Sequence, residues 1–289
     1  MSATLPQAGQ AGRVWRRFAR HRLALGGAVL VALLLSAALF APWLSPQDPT
    51  LLETGRRFLA PFTPGAIAGT DELGRDTLSR LLHGGQVSLT VGVVAMLTTV
   101  ATGALVGIAA GYLGGWVDTL LMRFVDTMLC FPQVFLLLVI AAFVPPTLLS
   151  ISLIIGLTSW MEVSRIVRAE ILQLKEADFI AAARALGASR TRIMLRELLP
   201  NAAAPILVAA TLKVASAVLI ESYISYLGYG IQPPLASWGN MLSNAQGYLD
   251  TAPWLAILPG LAITLTVIGF NFMGDGLRDA LDPRLRMDH

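Results

Sequence analysis

The sequence predicts an all-α integral membrane protein with six transmembrane helices. Three observations carry that prediction. Hydrophobic residues make up 55% of the 289-residue chain against 13% charged. Mean hydropathy is +0.66. Apolar runs of about 20 residues, the length that crosses a bilayer core, recur from end to end.

The runs fall at 23–44, 87–111, 119–144, 146–163, 202–227 and 253–273. The first reads as an uncleaved anchor. "SAALFA" offers small residues for signal cleavage, yet the apolar run of about 22 residues exceeds an ordinary signal core. In the third, Pro132 predicts a kink, and Pro145-Pro146 leaves almost no loop before the fourth. In the second, Gly103, Gly107 and Gly111 share one face, where helix backbones approach closely.

Basic residues set the orientation. With both termini inside, the internal segments hold Arg13, Arg16, Arg17, Arg20 and Arg22, then Arg123, then Arg165, Arg168, Lys175, Arg184, Arg190, Arg192 and Arg196, and finally Arg278, Arg284 and Arg286. Only Arg56, Arg57, Arg75 and Arg80 lie outside, and Lys213 lies within a span. The positive-inside rule therefore expects cytoplasmic termini. The expected segments are a cytoplasmic N-terminal stretch 1–22, the anchor 23–44, an extracytoplasmic segment 45–86, a transmembrane domain 87–273 containing a loop at 164–200, and a cytoplasmic tail 274–289. The net charge of +3 matches anionic lipid at the cytoplasmic face and needs no nucleic acid. Trp15 and Phe18 among the N-terminal arginines read either as a helix lying on that surface or as a solvated tail.

Outside, 45–86 is too long for a simple turn. Asp76 to His83 predicts a short amphipathic helix, and "QPPLASWGN" a rigid loop near the outer mouth. Either segment can meet a partner protein or form a lid.

The loop 164–200 contains "FIAAARALGASRTRIMLRELLPN", Phe179 to Asn201. Phe179, Ala183 and Leu186 recur at helical spacing, and Gly187 can end that helix in the left-handed conformation. Ser189 caps a second helix, carrying Ile193, Met194, Leu198 and Leu199, which Pro200 stops. Ala181, Ala182, Ala183 and Ala185 make the first helix slim enough for a partner's groove, with Arg184, Arg190, Arg192 and Arg196 around it. An ordinary amphipathic loop obeying the positive-inside rule is the competing reading.

Charges inside spans are costly and mark either hydrated pathways or ties between helices. Lys213 lies roughly 16 Å into the fifth span and Glu221 about 12 Å further along the same helix, too far apart to pair directly. Both are candidates for the translocation path or for pairing with a neighbouring span. Arg123 and Asp126, three residues apart, read as a local pair. Glu162, near the end of the fourth span, carries no assigned role.

Several classes are excluded or weakened. Cys130 is the single cysteine, so no internal disulfide forms. The three histidines, His21, His83 and His289, are scattered. No catalytic or metal-binding set is present, neither HExxH nor a Ser/Lys pair nor paired Asp. A secondary transporter would call for repeated halves with broken helices, and no internal repeat is visible. The chain lacks GxxxxGK[ST] and so cannot itself hydrolyse ATP.

"AAARALG" followed by "ELLPN" resembles the EAA loop of ABC importer permeases, with Ala181 where the loop's name calls for Glu and Glu197 where Ile is general. "GTDELGRDTLSRLLHGGQVSL" (Gly69–Leu89), "ESYISYLGYGIQPPLASWGNML" (Glu221–Leu242), "GDGLRDALDPR" (Gly274–Arg284) and the N-terminal "WRRFARHRLALGG" resemble the second, C-type permease subunit of dipeptide, oligopeptide and nickel importers. The resemblance covers nearly the whole chain.

It implies an ABC-importer-type coupling helix, with Phe179, Ala182, Ala183, Arg184 and Gly187 meeting the ATPase. It also implies a bacterial inner-membrane location and three kinds of partner besides lipid. These are a second homologous permease in a heterodimer, two cytoplasmic ATPases and an extracytoplasmic solute-binding protein. The partner ATPases use ATP and Mg, and this chain binds no cofactor. The expected cargo is di- or oligopeptide, with nickel as the alternative within the family.

Overall fold

The computed structural model describes residues 8–281, and over that range the chain is helical, with only two isolated bridges, Thr63 to Ala66 and Thr70 to Asp76. Arg284, Arg286, His289 and the end of the predicted tail lie outside the described residues. Five helices are long and apolar enough to cross a membrane, and a sharply bent pair makes a sixth crossing if counted as one span.

The chain begins with α1 (Ala8–Arg20), α2 (Arg22–Leu39) and the single turn α3 (Ala41–Leu44). Phe18 of α1 is buried beside Ala24 and Ala280, while Trp15 stays exposed. His21 ends α1 and caps α2, its Nδ1 accepting the Ala24 N–H at 3.1 Å.

Helix α4 (Thr77–Leu113) is the mast of the bundle. It merges the expected short helix at Asp76–His83 with the second span, giving 37 residues and a length of about 55 Å. The cap is the side chain of Asp76, which accepts from the Ser79 N–H at 2.7 Å. Gly84 and Gly85 do not break the helix. They clear space for Ser237 and Trp238, whose atoms lie 3.4 and 3.0 Å from where a Cβ would stand.

The third span is α5 (Gly115–Leu129) and α6 (Gln133–Phe143), bent by 85°. The cause is Pro132, which removes a donor and pushes Phe131 away from helical geometry. Helix α7 (Leu148–Leu174) runs eleven residues beyond the predicted end of the fourth span. It stays helical through Glu162, Arg165 and Arg168 because each finds a partner on another helix.

The loop contains α8 (Asp178–Ala185), α9 (Arg190–Arg192), a wide π-turn at Ile193–Leu198 and α10 (Leu199–Asn201), leading into α11 (Ala203–Tyr226). Pro200 was expected to stop its helix. It sits instead in the first turn of a new segment, where its missing N–H is tolerated, and the widened turn before it relieves the ring's demand on upstream carbonyls. The chain ends with α12 (Trp238–Ala245) and α13 (Trp254–Leu281). The last eight described residues extend α13, so the predicted tail begins as helix, with Gly274, Gly276 and Ala280 buried.

α4 lies between α7, α11 and α2, and it touches them at positions without side chains. A Cβ on Gly103 would fall 2.7 Å from Val163, and one on Gly107 2.6 Å from the Ser164 carbonyl. A Cβ on Gly111 would meet Ile171 at 2.9 Å. The predicted close-approach face is therefore the α4–α7 seam. Gly107→Leu is expected to destabilise the bundle by about 1–3 kcal/mol through overpacking, read as a lowered thermal midpoint of the detergent-purified protein. An exposed change on the same helix, Leu105→Ala, serves as the near-neutral control.

Candidate functional site

Three groups of residues stand out: the loop around α8, the charges along α7 and α11, and the polar cluster at the far end of the bundle.

α8 is pinned by one side chain. Ile180 is fully buried and packs in one cluster with Ile171, Ile193 and Leu198, with Ala183 partly buried against it. The sequence pointed to Phe179, Ala183 and Leu186 as one face. The structure divides them, because in a helix of eight residues the surrounding bundle, not local periodicity, decides which side is covered. Phe179 is 40% exposed and Leu186 88% exposed. With exposed Ala182 they form an apolar stripe at i, i+3, i+7 turned away from the bundle. Gly187 follows with φ +77°, the left-handed conformation expected of it. Ser189 caps the next turn, accepting the Arg192 N–H at 3.3 Å. Arg184 stands over the Tyr112 ring, 5.5 Å from its centre, which ties α8 to the end of α4.

The charges in the spans form a ladder along α7. At its top Gln133 donates to Ser159 Oγ at 2.7 Å. Three residues on, Glu162 pairs with Lys213 of α11. Arg165 pairs with Asp126 of α5. Arg168 grips Asp118 of α5 with two hydrogen bonds of 2.5 and 2.6 Å. Asp126 is thus joined to Arg165 rather than to Arg123, the expected local partner. Lys213 finds its counter-ion on a neighbouring span, at Glu162, a residue the sequence left without a role. A three-residue spacing of Ser159, Glu162, Arg165 and Arg168 was the signal available in the sequence.

Glu221 behaves differently. It is fully buried and ties α11 to α4: Ser88 donates to it at 2.9 Å and Ser225 at 2.7 Å. The same serines receive backbone N–H groups of the far-end loop, Trp238 at 3.2 Å and Ile231 at 3.1 Å. Of the two readings open for Glu221, the tie between helices describes its geometry.

The far-end segment before α4 is organised by Asp71. One of its oxygens accepts from the Leu73 and Arg75 N–H groups at 2.9 Å each, and the other meets the Arg75 side chain at 2.6 Å and Arg80 at 3.4 Å. Arg75 also meets Glu72 at 3.0 Å. "QPPLASWGN" is fixed by Asn240, which donates to the Ile231 and Leu235 carbonyls at 3.1 and 2.8 Å. Trp238 Nε1 donates to the Leu81 carbonyl at 3.0 Å. His83 Nδ1 lies 2.9 Å from the Ser79 carbonyl and 3.2 Å from Ser45 Oγ, local contacts within this segment. Among the described residues no three His, Cys, Asp or Glu side chains are grouped to hold a metal ion.

An all-helical bundle of apolar spans with paired charges between its helices is that of a membrane-embedded protein. The comparisons with known proteins agree. Residues 103–287 match the model of the binding-protein-dependent transport system inner membrane component. Residues 9–64 match the N-terminal transmembrane domain of oligopeptide transport permease C.

The di/tripeptide transport system permease protein DppC of Pseudomonas aeruginosa is 41% identical over 281 residues, covering 94% of this chain and 91% of that protein. A Brucella abortus protein named among peptide transport system permeases is 42% identical over 275 residues, covering 94% and 92%. A solved structure of the methionine ABC transporter MetNI shares the fold with a TM-score of 0.56 at 20% identity, over 70% of this chain and 96% of the other. The chain belongs to the binding-protein-dependent transport system inner membrane component family. It is a multi-pass inner-membrane permease subunit of an ABC importer, and ATP is hydrolysed on separate subunits.

Ser88→Ala removes a donor to buried Glu221 and the acceptor of the Trp238 N–H together. A loss of about 1–3 kcal/mol is expected for the groups left unpaired. Thermal unfolding of the purified chain measures it.

Proposed function

We propose that this permease carries di- or oligopeptides delivered by an extracytoplasmic binding protein, and that α8 is the coupling helix on which a cytoplasmic ATPase acts. The observation that carries the second part is the division of α8 into two faces. Ile180 is locked into the bundle, while Phe179, Ala182 and Leu186 leave an apolar stripe uncovered beside Arg184. A soluble partner's groove accounts for an uncovered apolar stripe on a loop rich in arginine. Peptide cargo is supported by the relatives from Pseudomonas aeruginosa and Brucella abortus, which are named as a di/tripeptide and a peptide transport system permease.

In this reading the loop end of the bundle and both termini face the cytoplasm, as the distribution of arginines favours. Residues 45–86 and the "QPPLASWGN" loop then face the binding protein. A second, homologous permease completes the path as a heterodimer, and two ATPases use ATP and Mg on the cytoplasmic side. α1, with exposed Trp15, Arg16 and Arg17, rests on anionic lipid. ATP binding draws the ATPases together, the docked helices follow, and the spans alternate between outward and inward access. Lys213 belongs to the path lining, and Glu221 holds the helices around it.

Ala182→Arg places a charged chain on the exposed stripe without entering the bundle. In proteoliposomes holding the complete transporter, peptide uptake is expected to fall at least tenfold while insertion is unchanged. Gly187→Pro, which cannot adopt a φ of +77°, is expected to act in the same direction. Normal uptake by a well-inserted Ala182→Arg protein would sink the docking model.

A further inference from the structure

The ladder along α7 sits at a depth where exposed charges have a restricted meaning. Val163 packs at the level of Gly103, ten residues before the end of α4 at Leu113. At 1.5 Å per residue that is about 15 Å from the helix end, within helices long and apolar enough to cross a membrane. Lys213 gives the same depth, ten residues into α11.

At this level charged side chains do not face hydrocarbon. They face protein or water. Yet Glu162 is 66% exposed, and Arg165 and Asp126 about half exposed. Lys213 and Asp118, by contrast, are sheltered at 16% and 18%. Glu162 and both members of the Arg165–Asp126 pair are therefore turned outward, so that on α7 a negative Glu162 is followed three residues on by a positive Arg165.

We propose that this face of α7 lines the hydrated path, and that Glu162 and Arg165 receive the terminal ammonium and terminal carboxylate of a short peptide in transit. The inference rests on the peptide reading above for its cargo and on burial and depth for its place. Spacing supports it. The two residues stand one helical turn apart, about 4.5 Å along the axis, and their side chains reach outward from there. The charged ends of an extended dipeptide lie about 7 Å apart. Because Lys213 and Asp126 already neutralise the two receivers, a peptide end competes with a resident counter-ion. Binding at such a rung is weak, as a path must be if cargo is to leave it.

The test uses cysteine accessibility in the complete transporter, in a Cys130→Ser background because Cys130 is itself exposed. Ser159→Cys and Arg165→Cys are compared with Leu157→Cys, an exposed apolar position on another face of α7. The probes are a cationic and an anionic methanethiosulfonate reagent. Labelling at Ser159→Cys and Arg165→Cys is expected to be at least tenfold faster than at Leu157→Cys. The cationic reagent should be favoured several-fold at Ser159→Cys, a preference lost on adding Glu162→Gln.

A dipeptide with free termini should slow labelling several-fold, and the same dipeptide acetylated and amidated should not. Equal rates at all three positions would overturn the hydrated-path assignment. Fast labelling that both dipeptides or neither dipeptide slows would overturn the recognition of termini. Uptake by the unmodified transporter is measured alongside. Fast labelling with no peptide uptake would reject the cargo and leave the path lining standing.

Discussion

The close contact between α4 and α7 is the constraint on which the rest of the structure depends. Gly103, Gly107 and Gly111 bring the two backbones together, and the residues that fill the seam are Val163, Ser164, Val167 and Ile171. Fixing those four inward fixes the azimuth of α7. Glu162 and Arg165 then have no choice but to lie off the seam, toward α11 and α5. A bulkier residue on α4 would rotate or displace α7 and move every charge on it. The polar ladder is thus a consequence of where three side chains are absent.

The same seam reaches the loop. Ile171, the last contact of Gly111, is also the neighbour of Ile180 in α8 and of Ile193 at the approach to α11. Burying a side chain of this size is worth about 1.5–3 kcal/mol, so α8 cannot shift freely against the bundle. A displacement imposed on its outer stripe is passed to α7 and α11 together, the two helices that hold the Glu162–Lys213 pair. The far end is tied more firmly. Glu221, Ser88, Ser225 and the Trp238 N–H join α4, α11 and the far-end loop in one buried network. The ion pairs around Asp71 brace the start of α4.

What the sequence revealed follows the range of the interactions. The glycine face, the left-handed Gly187 and the Ser189 cap all depend on residues within a few positions of each other, and all were legible. The buried side of α8 was not, since eight residues hold too little periodicity to outweigh the bundle. The partners of the charges were not, because they lie far away in sequence: Asp126 meets Arg165 and not Arg123, Glu162 meets Lys213, and Glu221 meets Ser88. The apparent end of the fourth span had the same origin. Hydropathy falls where Glu162, Arg165 and Arg168 enter, while the helix continues because distant side chains neutralise them.

That neutralisation bears on what can pass. A single unpaired charge at mid-membrane would attract its opposite strongly in a low dielectric and hold it. A rung that already contains both signs presents a local dipole, and cargo with both signs can exchange with it at little net cost. Peptides share that one chemical feature, an ammonium at one end and a carboxylate at the other, while their side chains vary. A path that reads only the ends leaves the choice among side chains to the protein that delivers the cargo. In the proposed reading the paired charges of α7 serve permeation, and the choice among peptides falls to the protein that delivers them.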